Sequence, residues 1–514
     1  MRLNQGKKKE IVNSNLLFFR LISVNAGSCR LTSQPSLRRS LLHCIFDAFI
    51  FSPLKICIYT IFFVLLHFET MKSLNSQILR LAIPSILANI TIPLVGVVDT
   101  AIVGHIANAT YIGGIAIGTM LFDLLYWNFG FLRVGTSGMT AQAYGRGDRV
   151  ECARLLTQSV SIALIGALLL WLIQWLFVTA VLAIVPCSAE VASFAREYFF
   201  VRIWAAPATL SLMAFKGWFI GMQDTVSPMI TDIVVNVVNM AVSYALAVYT
   251  PLGAMGVSYG TVVAQFTGLI LALVLFLFKY KTVVREVIRL LGDKAKKLLG
   301  GQEMKQFMSL NGNLFVRSLC FMVVYVGFTS LASKYGDVEL AVSTIMMKLF
   351  MLFSYFVDGF AYAGEALVGK EWGAMRREAK GDEAIRQVVR LLFVWSLGVG
   401  LLFTLLFVVW SDECYRAMTN DFTVLSRLAN YTGWLIAMPI VSTLAFMWDG
   451  VYAGATAGKQ IRNAMIYAAF GFVILYLATY WWLGIQGLYI AYFAHLIARV
   501  VYLTAAWRTL LQKV

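Results

Sequence analysis

Residues 254–278, AMGVSYGTVVAQFTGLILALVLFLF, contain no charged side chain. The hydrocarbon core of a bilayer is about 30 Å thick, and a helix needs about 20 apolar residues to cross it. Reading residues 71–514 in the same way gives twelve such stretches, separated by short polar connections. The predicted fold is therefore an all-α integral membrane protein with twelve transmembrane helices. The predicted spans are 76–103, 112–138, 155–180, 190–214, 224–249, 254–278, 308–332, 340–368, 386–410, 422–448, 462–483 and 486–510.

The composition excludes several classes of protein. Of the 514 residues, 60% are hydrophobic and 13% are charged, whereas a soluble domain has about 25% charged residues. Soluble enzymes, disordered proteins and disulfide scaffolds are thereby excluded. The seven cysteines form no CxxC pair and no HExxH motif is present, so we expect neither a metal site nor a cofactor. A membrane-embedded enzyme would need a His/Asp/Glu cluster or a nucleophile motif, and the sequence offers neither.

The basic residues indicate the orientation of the chain. The formal net charge is +16. The connections after spans 2, 4, 6, 8 and 10, counted together with Arg386, Arg390 and Arg462 at the start of the spans that follow, hold 20 Lys and Arg residues, Lys216 among them. The other connections hold only Lys334 and Arg416. Because basic loops stay in the cytoplasm, we expect a multi-pass protein of the cell inner (plasma) membrane with both termini cytoplasmic. The charge is then explained by topology, and we expect no nucleic-acid partner.

The first seventy residues differ from the remainder. They hold nine basic and three acidic residues, and their apolar run, residues 56–66, is too short to span a bilayer. Met71 is followed by a normal start for a first membrane helix. We therefore expect residues 1–70 to be an upstream extension from a misassigned start codon, with a targeting segment as the alternative.

The chain repeats itself once. Gly130-Phe131, Gly135 and Gly145 correspond to Gly359-Phe360, Gly364 and Gly373; Pro207, Gly217 and Gly221 correspond to Pro439, Gly450 and Gly454; Leu252-Gly253-x-x-Gly256 corresponds to Leu483-Gly484-x-x-Gly487. Matching order and near-equal offsets predict two parallel six-helix lobes around a central cavity. The lobes are residues 71–278 and 308–514, joined by a basic cytoplasmic linker, residues 279–307. We expect the protein to work as a monomer.

Asp99 is the main functional candidate, because ionisable residues inside a membrane are costly and usually functional. It lies in the outer half of span 1, where Pro84 and Pro93 loosen the helix, and no Lys or Arg stands three or four residues away. Burial favours the neutral form of a carboxyl group, so Asp99 is expected to bind and release a proton near neutral pH. The alternative is a structural hydrogen bond or ion pair.

Other polar residues at membrane depth extend the candidate site. Asn236, Asn239 and Ser243 share one face of span 5, either as a packing contact between helices or as the partner surface of Asp99. Further cation-coupling candidates are Thr261 in span 6 and Tyr198 in span 4, with Arg202 beside it. The second-lobe candidates are Asp449 and Arg317, which are able to pair with each other, and Asp358 and Glu365, which lie two turns apart on one face of span 8. The sequence assigns no role to Asp123 or Arg133.

Short motifs give a resemblance to a known family. They are Leu81-Ala-Ile-Pro84 and Val98-Asp-Thr100, Phe131-Leu-Arg-Val-Gly-Thr136 with Ala141-Gln-Ala-Tyr-Gly145, Gly253-x-x-Gly256 with Gly260-Thr261, Ala363-Gly-Glu-Ala-Leu-Val-Gly-Lys370, and Asp449-Gly450 through Gly454-Ala-Thr456 to Arg462-Asn463. Over about residues 76–510 the sequence resembles the multidrug and toxic compound extrusion (MATE) family, in its DinF-like branch.

The resemblance implies an antiporter that exports organic, often cationic compounds in exchange for H⁺ or Na⁺. Asp99 matches the acidic residue of span 1 on which proton coupling is thought to depend, and Asn239 matches the Asn of an Asn-x-x-x-Asp pattern. Ser243 replaces the Asp of that pattern, which weakens the case for a Na⁺ site in the first lobe. Asp449 resembles an acidic residue of the NorM-type branch. We therefore expect coupling to H⁺, less so to Na⁺, with a flippase for lipid-linked saccharides as the alternative function.

Overall fold

Long apolar helices make up almost all of the described chain. The computed structural model describes residues 74–106, 109–185, 187–293, 302–378 and 382–512, and within these ranges no β-strand occurs. The predicted extension, residues 1–70, lies outside them. The α-helices are α1 Leu74–Ile106, α2 Ala109–Tyr126, α3 Phe131–Arg146, α4 Arg149–Ile184, α5 Ala189–Arg202, α6 Ala206–Gly221, α7 Val226–Tyr249, α8 Gly256–Lys279, α9 Lys281–Asp293, α10 Gln302–Ala332, α11 Asp337–Glu378, α12 Glu383–Met418, α13 Phe422–Leu428, α14 Thr432–Gly454, α15 Gly458–Leu483 and α16 Ile485–Leu511.

Twelve segments of the described chain are long and apolar enough to cross a membrane, which confirms the predicted number. In chain order they are spans 1 to 12: Leu74–Val103, Thr110–Arg146, Arg149–Ile184, Ala189–Gly221, Val226–Tyr249, Gly253–Lys279, Met304–Tyr335, Asp337–Arg377, Glu383–Met418, Phe422–Gly454, Gly458–Leu483 and Ile485–Leu511. Spans 2, 4 and 10 each consist of two α-helices joined by a short 3₁₀ segment. We call the end of the bundle that carries the connections after spans 2, 4, 6, 8 and 10 the basic end.

One predicted connection is wrong in part, because a helix continues past its apolar residues, and another contains a helix that was not predicted. Lys216, predicted in the connection after span 4, lies inside α6 and pairs with Asp232 of span 5. The predicted linker, residues 279–307, contains the amphipathic helix α9. The buried side chains of α9, Val283 and Leu290, pack against Trp218 and Phe276 of the first lobe, so part of the linker is a structural element of that lobe.

Each lobe has its own apolar core, and a third cluster joins the two. Phe122 and Phe199 lie in the core of the first lobe, and Phe328 and Tyr489 lie in the core of the second. Buried side chains of span 1, such as Leu81, pack with residues of span 8 in the joining cluster. Spans 2 and 8, which are equivalent in the repeat, also pack against each other.

Two glycines at the crossing of spans 2 and 8 show that the repeat is a structural one. A Cβ atom at Gly145 would clash with the carbonyl group of Lys370, and one at Gly373 would clash with the carbonyl group of Gln142. Gly145 precedes Gly373 by 228 residues, and Gln142 precedes Lys370 by the same 228. In lipid, small residues allow the close approach that holds helices together. The lobes therefore meet through equivalent surfaces near the basic end.

Candidate functional site

Asp99 lies in the half of span 1 that is remote from the basic end, on a helix that contains Pro84 and Pro93. Each proline removes one backbone donor from the helix. The Asp99 side chain is buried, and within the described chain its Oδ1 atom has no hydrogen-bond partner. An ionised carboxylate in this environment is costly. Asp99 is therefore a group whose charge can be removed by a proton without breaking a hydrogen bond at Oδ1.

Arg202 supplies the positive charge that acts on Asp99. Its Nη1 atom donates a hydrogen bond of 3.1 Å to the hydroxyl oxygen of Tyr198, and its guanidinium group lies 4.7 Å from the centre of the Phe122 ring. Arg202 belongs to span 4, so the residues that adjoin Asp99 in the sequence do not reveal this positive charge. Tyr198, a predicted candidate, contributes by holding this guanidinium group in place.

The predicted polar face of span 5 contacts two neighbouring spans. Asn236 Nδ2 donates a 2.6 Å hydrogen bond to Thr91 Oγ1 of span 1, and Asn239 Nδ2 donates a 2.9 Å bond to Thr261 Oγ1 of span 6. Ser243 Oγ donates to the carbonyl oxygen of Val257 at 3.4 Å. These bonds are contacts between helices, which is one of the two interpretations that the sequence allowed for the polar face of span 5. The Oδ1 atom of Asn239, however, is buried without a hydrogen-bond partner among the described residues.

Asp449 of span 10 lies between two arginines. Its Oδ2 atom accepts hydrogen bonds of 2.6 Å from Arg317 of span 7 and from Arg499 of span 12. The pairing of Arg317 with Asp449 agrees with the prediction. Arg499, which is 1% exposed, was not among the predicted residues. Two cations around one carboxylate leave a positive excess. The arrangement therefore opposes the binding of a further cation at Asp449.

Arg133 and Glu365 join the two lobes. Arg133 Nη1 lies 2.9 Å from Glu365 Oε2, and further 3.2 Å bonds connect the guanidinium group to Glu365 Oε1. The same guanidinium lies 4.2 Å from the centre of the Tyr362 ring. Asp358, the other candidate of span 8, is half-buried, and the positive charges of Arg133 and Arg317 attract its carboxylate. The predicted pair of acidic residues on span 8 thus faces arginines from both lobes.

Two observations bear on what the prediction missed, which are the pairing of Arg133 with the predicted candidate Glu365 and the residue Arg499. Arg133 and Glu365 lie on spans 2 and 8, which are equivalent in the repeat, and in the structure these two spans pack against each other. Opposite charges on these two spans are therefore candidates for pairing. Arg499 is an arginine inside a predicted span, and the rule that selected Asp99 also applies to it.

Two repeated lobes of six membrane helices, with paired charges between and within them, are the architecture of a secondary transporter. The MatE family matches residues 84–245 and 314–481. The chain belongs to this family of multidrug and toxin extrusion transporters, and it is accordingly a transporter and not an enzyme.

Individual relatives agree with the family. The chain is 31% identical to the DNA damage-inducible protein F of Escherichia coli K12, covering 88% of this chain and 96% of the relative. It is 24% identical to the chloroplastic protein DETOXIFICATION 44 of Arabidopsis thaliana, covering 85% and 82%. A solved structure of a multidrug resistance MATE transporter in an outward-facing conformation matches with a TM-score of 0.76 at 16% identity, covering 85% of this chain and 96% of that one. The DinF-like resemblance is thereby confirmed, and the chain is a multi-pass inner-membrane protein that moves small organic compounds across the bilayer.

Proposed function

We propose that this transporter exports organic, often cationic compounds in exchange for protons, and that Asp99 carries the coupling proton. The observation that supports this most directly is the buried carboxylate with an unpartnered Oδ1 atom. In its ionised form Asp99 attracts Arg202, and protonation removes that attraction. A proton thus changes the forces between span 1 and span 4, which biases the lobe toward a second conformation.

The second lobe supports H⁺ in preference to Na⁺. A sodium ion at Asp449 would have to displace two guanidinium groups that each lie 2.6 Å from the same oxygen. In the first lobe, Ser243 Oγ is engaged with a backbone carbonyl, and Ser243 stands where a second carboxylate would complete a two-acid cation site. One proton entering down the membrane potential supplies about 2.3 kcal/mol per 100 mV.

Alternating access between the lobes completes the proposed mechanism. The contacts between the lobes described above lie at mid-depth and toward the basic end, where Gly145 and Gly373 bring spans 2 and 8 together. With the basic end and both termini in the cytoplasm, as basic residues favour, this arrangement has its cytoplasmic side closed. A proton entering from the opposite side reaches Asp99 without crossing that closed contact. The proposed working unit is a monomer.

The alternative function, a flippase for lipid-linked saccharides, requires cations that are available to an anionic ligand. At membrane depth Arg133, Arg317 and Lys216 each have a carboxylate partner. Arg202 is bound to Tyr198 and stacks on Phe122. Paired cations favour an exporter over a flippase.

The test is flux through the purified full chain in vesicles, with ethidium inside and either a pH or a Na⁺ gradient imposed. We expect ethidium export to follow the pH gradient, to be unchanged when Na⁺ is replaced by K⁺, and to fall at least tenfold in Asp99→Asn. Asp412→Asn, at an exposed carboxylate, is the matched control and should export like the wild type. Export that requires Na⁺ at fixed pH, or an Asp99→Asn protein that still exchanges ethidium for protons, would refute the proposal.

A further inference from the structure

The linker helix α9 leaves the end of span 6 through a single residue. Helix α8 ends at Lys279 and α9 begins at Lys281, and the backbone of Tyr280 between them is not helical, with φ −119° and ψ 41°. The hydroxyl group of Tyr280 and the Nζ atom of Lys279 both donate to Asp224 Oδ2, at 3.0 Å and 3.1 Å. Because a membrane span ends where α9 begins, α9 starts at the membrane surface on the basic end.

One face of α9 packs against the flank of the first lobe. Val283 and Leu290 are buried in a cluster that also contains Ala153, Leu156 and Trp218. Ala153 and Leu156 lie in the first turns of α4, the helix of span 3. The contact therefore holds α9 beside the ends of the spans, at the depth of the lipid headgroups, and α9 does not project away from the membrane.

The packed face covers only part of the apolar surface of α9. Ile288 and Leu291 follow the half-buried Val284 and Val287 by one helical turn, so the apolar surface continues past the packed face. The side chains of Ile288 and Leu291 are nevertheless 64% and 54% exposed. We call these two residues the exposed edge of α9.

Three basic residues border the exposed edge. Lys281, Arg285 and Arg289 follow one another at intervals of four residues, and all three are exposed. We call them the basic stripe. Within the part of the chain that the structure describes, none of the three forms an ion pair, and Glu286 is half-buried on the side of the stripe away from the exposed edge. Like charges at this spacing repel each other, so the stripe attracts anions from outside the helix.

We propose that α9 is an interfacial helix that binds the anionic headgroups of the bilayer at the basic end. Ile288 and Leu291 insert at the boundary between headgroups and acyl chains, and Arg285 and Arg289 contact lipid phosphates. Amphipathic helices with a basic polar face bind membranes in this way, and arginine stems lie along apolar surface while the guanidinium groups stay with the phosphates. The lipid contact does not depend on the exchange reaction proposed above.

The anchoring of α9 favours lipid over other partners. The exposed edge cannot leave the headgroup depth unless Val283 and Leu290 are uncovered, so lipid is always within its reach. Arginine forms paired hydrogen bonds with phosphate oxygens, and an anionic lipid surface supplies such groups next to acyl chains. A lipid surface thus satisfies the basic stripe and covers the exposed edge at the same time.

The test is hydrogen exchange of the α9 amides in the full chain, held in nanodiscs of phosphatidylcholine or of an equal mixture of phosphatidylcholine and phosphatidylglycerol. We expect the anionic mixture to slow exchange in α9 about tenfold, because each basic residue near an anionic surface contributes a severalfold preference. Raised salt should remove most of this difference. Arg285→Gln with Arg289→Gln should abolish the difference, and Arg285→Lys with Arg289→Lys should retain most of it.

Two further pairs of substitutions complete the design. Arg149→Gln with Lys459→Gln removes the same charge at exposed positions of the basic end, and α9 in this matched control should respond to phosphatidylglycerol like the wild type. Ile288→Ser with Leu291→Ser should speed exchange in both lipid compositions, because it removes the apolar part of the contact. Thermal unfolding of each variant in phosphatidylcholine establishes that it is folded.

Several outcomes would overturn the lipid contact. Equal exchange in the two lipid compositions would refute it, as would a full response in Arg285→Gln with Arg289→Gln. The same slowing by millimolar inorganic phosphate in phosphatidylcholine would show that a free anion suffices. Slowing that follows the number of chains in each nanodisc, and not the lipid charge, would show that a second copy of the chain covers the exposed edge.

Discussion

The two lobes share a backbone plan but treat their buried acids differently. In the first lobe a Cβ atom at Gly217 would clash with the backbone of Arg133, and in the second one at Gly450 would meet the backbone of Ala361. Arg133 and Ala361 are 228 residues apart, so these contacts are equivalent. On this common plan, Asp99 has an unpartnered Oδ1 atom and Asp449 is bound by two arginines.

The comparison shows how one repeated unit can serve two purposes. A carboxylate bound by two guanidinium groups holds three helices together and stays ionised, because protonation would leave both cations without a partner. A buried carboxylate oxygen without a hydrogen-bond partner adds no contact between helices, and it remains available to a proton. The repeat therefore fixes where helices cross, and a few side chains decide which lobe responds to a proton.

The largest expected effect separates the two acids by stability. Replacing Asp449 by Asn leaves two cations without a counter-charge, and breaking a buried pair in this way costs about 3–5 kcal/mol. We expect Asp449→Asn to lower the thermal unfolding temperature of the purified protein strongly. Asp99→Asn should unfold at the wild-type temperature or slightly above it. If both variants lose the same stability, the two acids have equivalent structural roles and the contrast between the lobes is wrong.

The pair between the lobes should control how tightly the basic end is closed. Glu365→Gln leaves the Arg133 guanidinium without its anionic partner, and we expect a loss of about 2 kcal/mol from the closed arrangement. Spin labels at the exposed positions Arg149 and Glu383 would report longer distances between the lobes by pulsed electron resonance. Asp232→Asn is the control, because the partner of Asp232, Lys216, lies in the same lobe. An unchanged distance distribution in Glu365→Gln would show that the pair does not hold the lobes together.

The crossing of spans 2 and 8 offers a symmetric test. Gly145→Ala and Gly373→Ala each place a methyl group against a backbone carbonyl group of the other lobe, and overpacking of this kind costs about 1–3 kcal/mol. Equivalent positions should give equal effects on the same label distances. Gly398→Ala, where an added Cβ atom meets nothing within 4 Å, should have no effect. A response at only one of the two glycines would show that the crossing is not symmetric.

The smallest expected effect lies at two equivalent helix N-caps. Ser188 Oγ accepts from the N–H of Val191, and Asp421, 233 residues later, accepts from the N–H groups of Thr423 and Val424. The N–H groups of Thr423 and Val424 hold the pKa of Asp421 below its ordinary value of 3.8.

The contribution of the Asp421 cap is therefore complete above that ordinary value and is lost as pH falls through the lowered pKa. The Ser188 cap, which does not titrate, gives no such change. We expect the first turn of α13 to lose hydrogen-exchange protection in acid, while the first turn of α5 keeps its protection. Equal loss at both caps would contradict this difference, and Asp421→Ser should abolish it.

The sequence predicted the number of spans and the repeat, because both follow from apolar length and from glycine positions that are fixed by close packing. It also selected Asp99, Asp449, Arg317, Asp358 and Glu365 from the rule that charges inside a membrane are costly. The arginine partners of these acids were harder to predict from the sequence. Arg202 and Arg499 lie on spans remote in sequence from the acids they act on, and apolar periodicity contains no information about which spans meet.

The helix within the linker was not predicted, for a different reason. Helix α9 is amphipathic and short, so a search for apolar stretches of membrane length cannot find it. Lys216 was placed outside a span because a charged residue was taken to end one. In the structure Asp232 neutralises it at 2.6 Å, and the helix continues to Gly221. The role of Asp99 stays a prediction that the flux experiment tests.

The packing of α9 on the first lobe decides which lobe this part of the linker follows. Val283 and Leu290 are buried together with Trp218 and Phe276, so α9 stays with the first lobe when the two lobes change position. A chain divided between the lobes would therefore have to keep residues Lys281–Asp293 on its first half to leave that apolar surface covered.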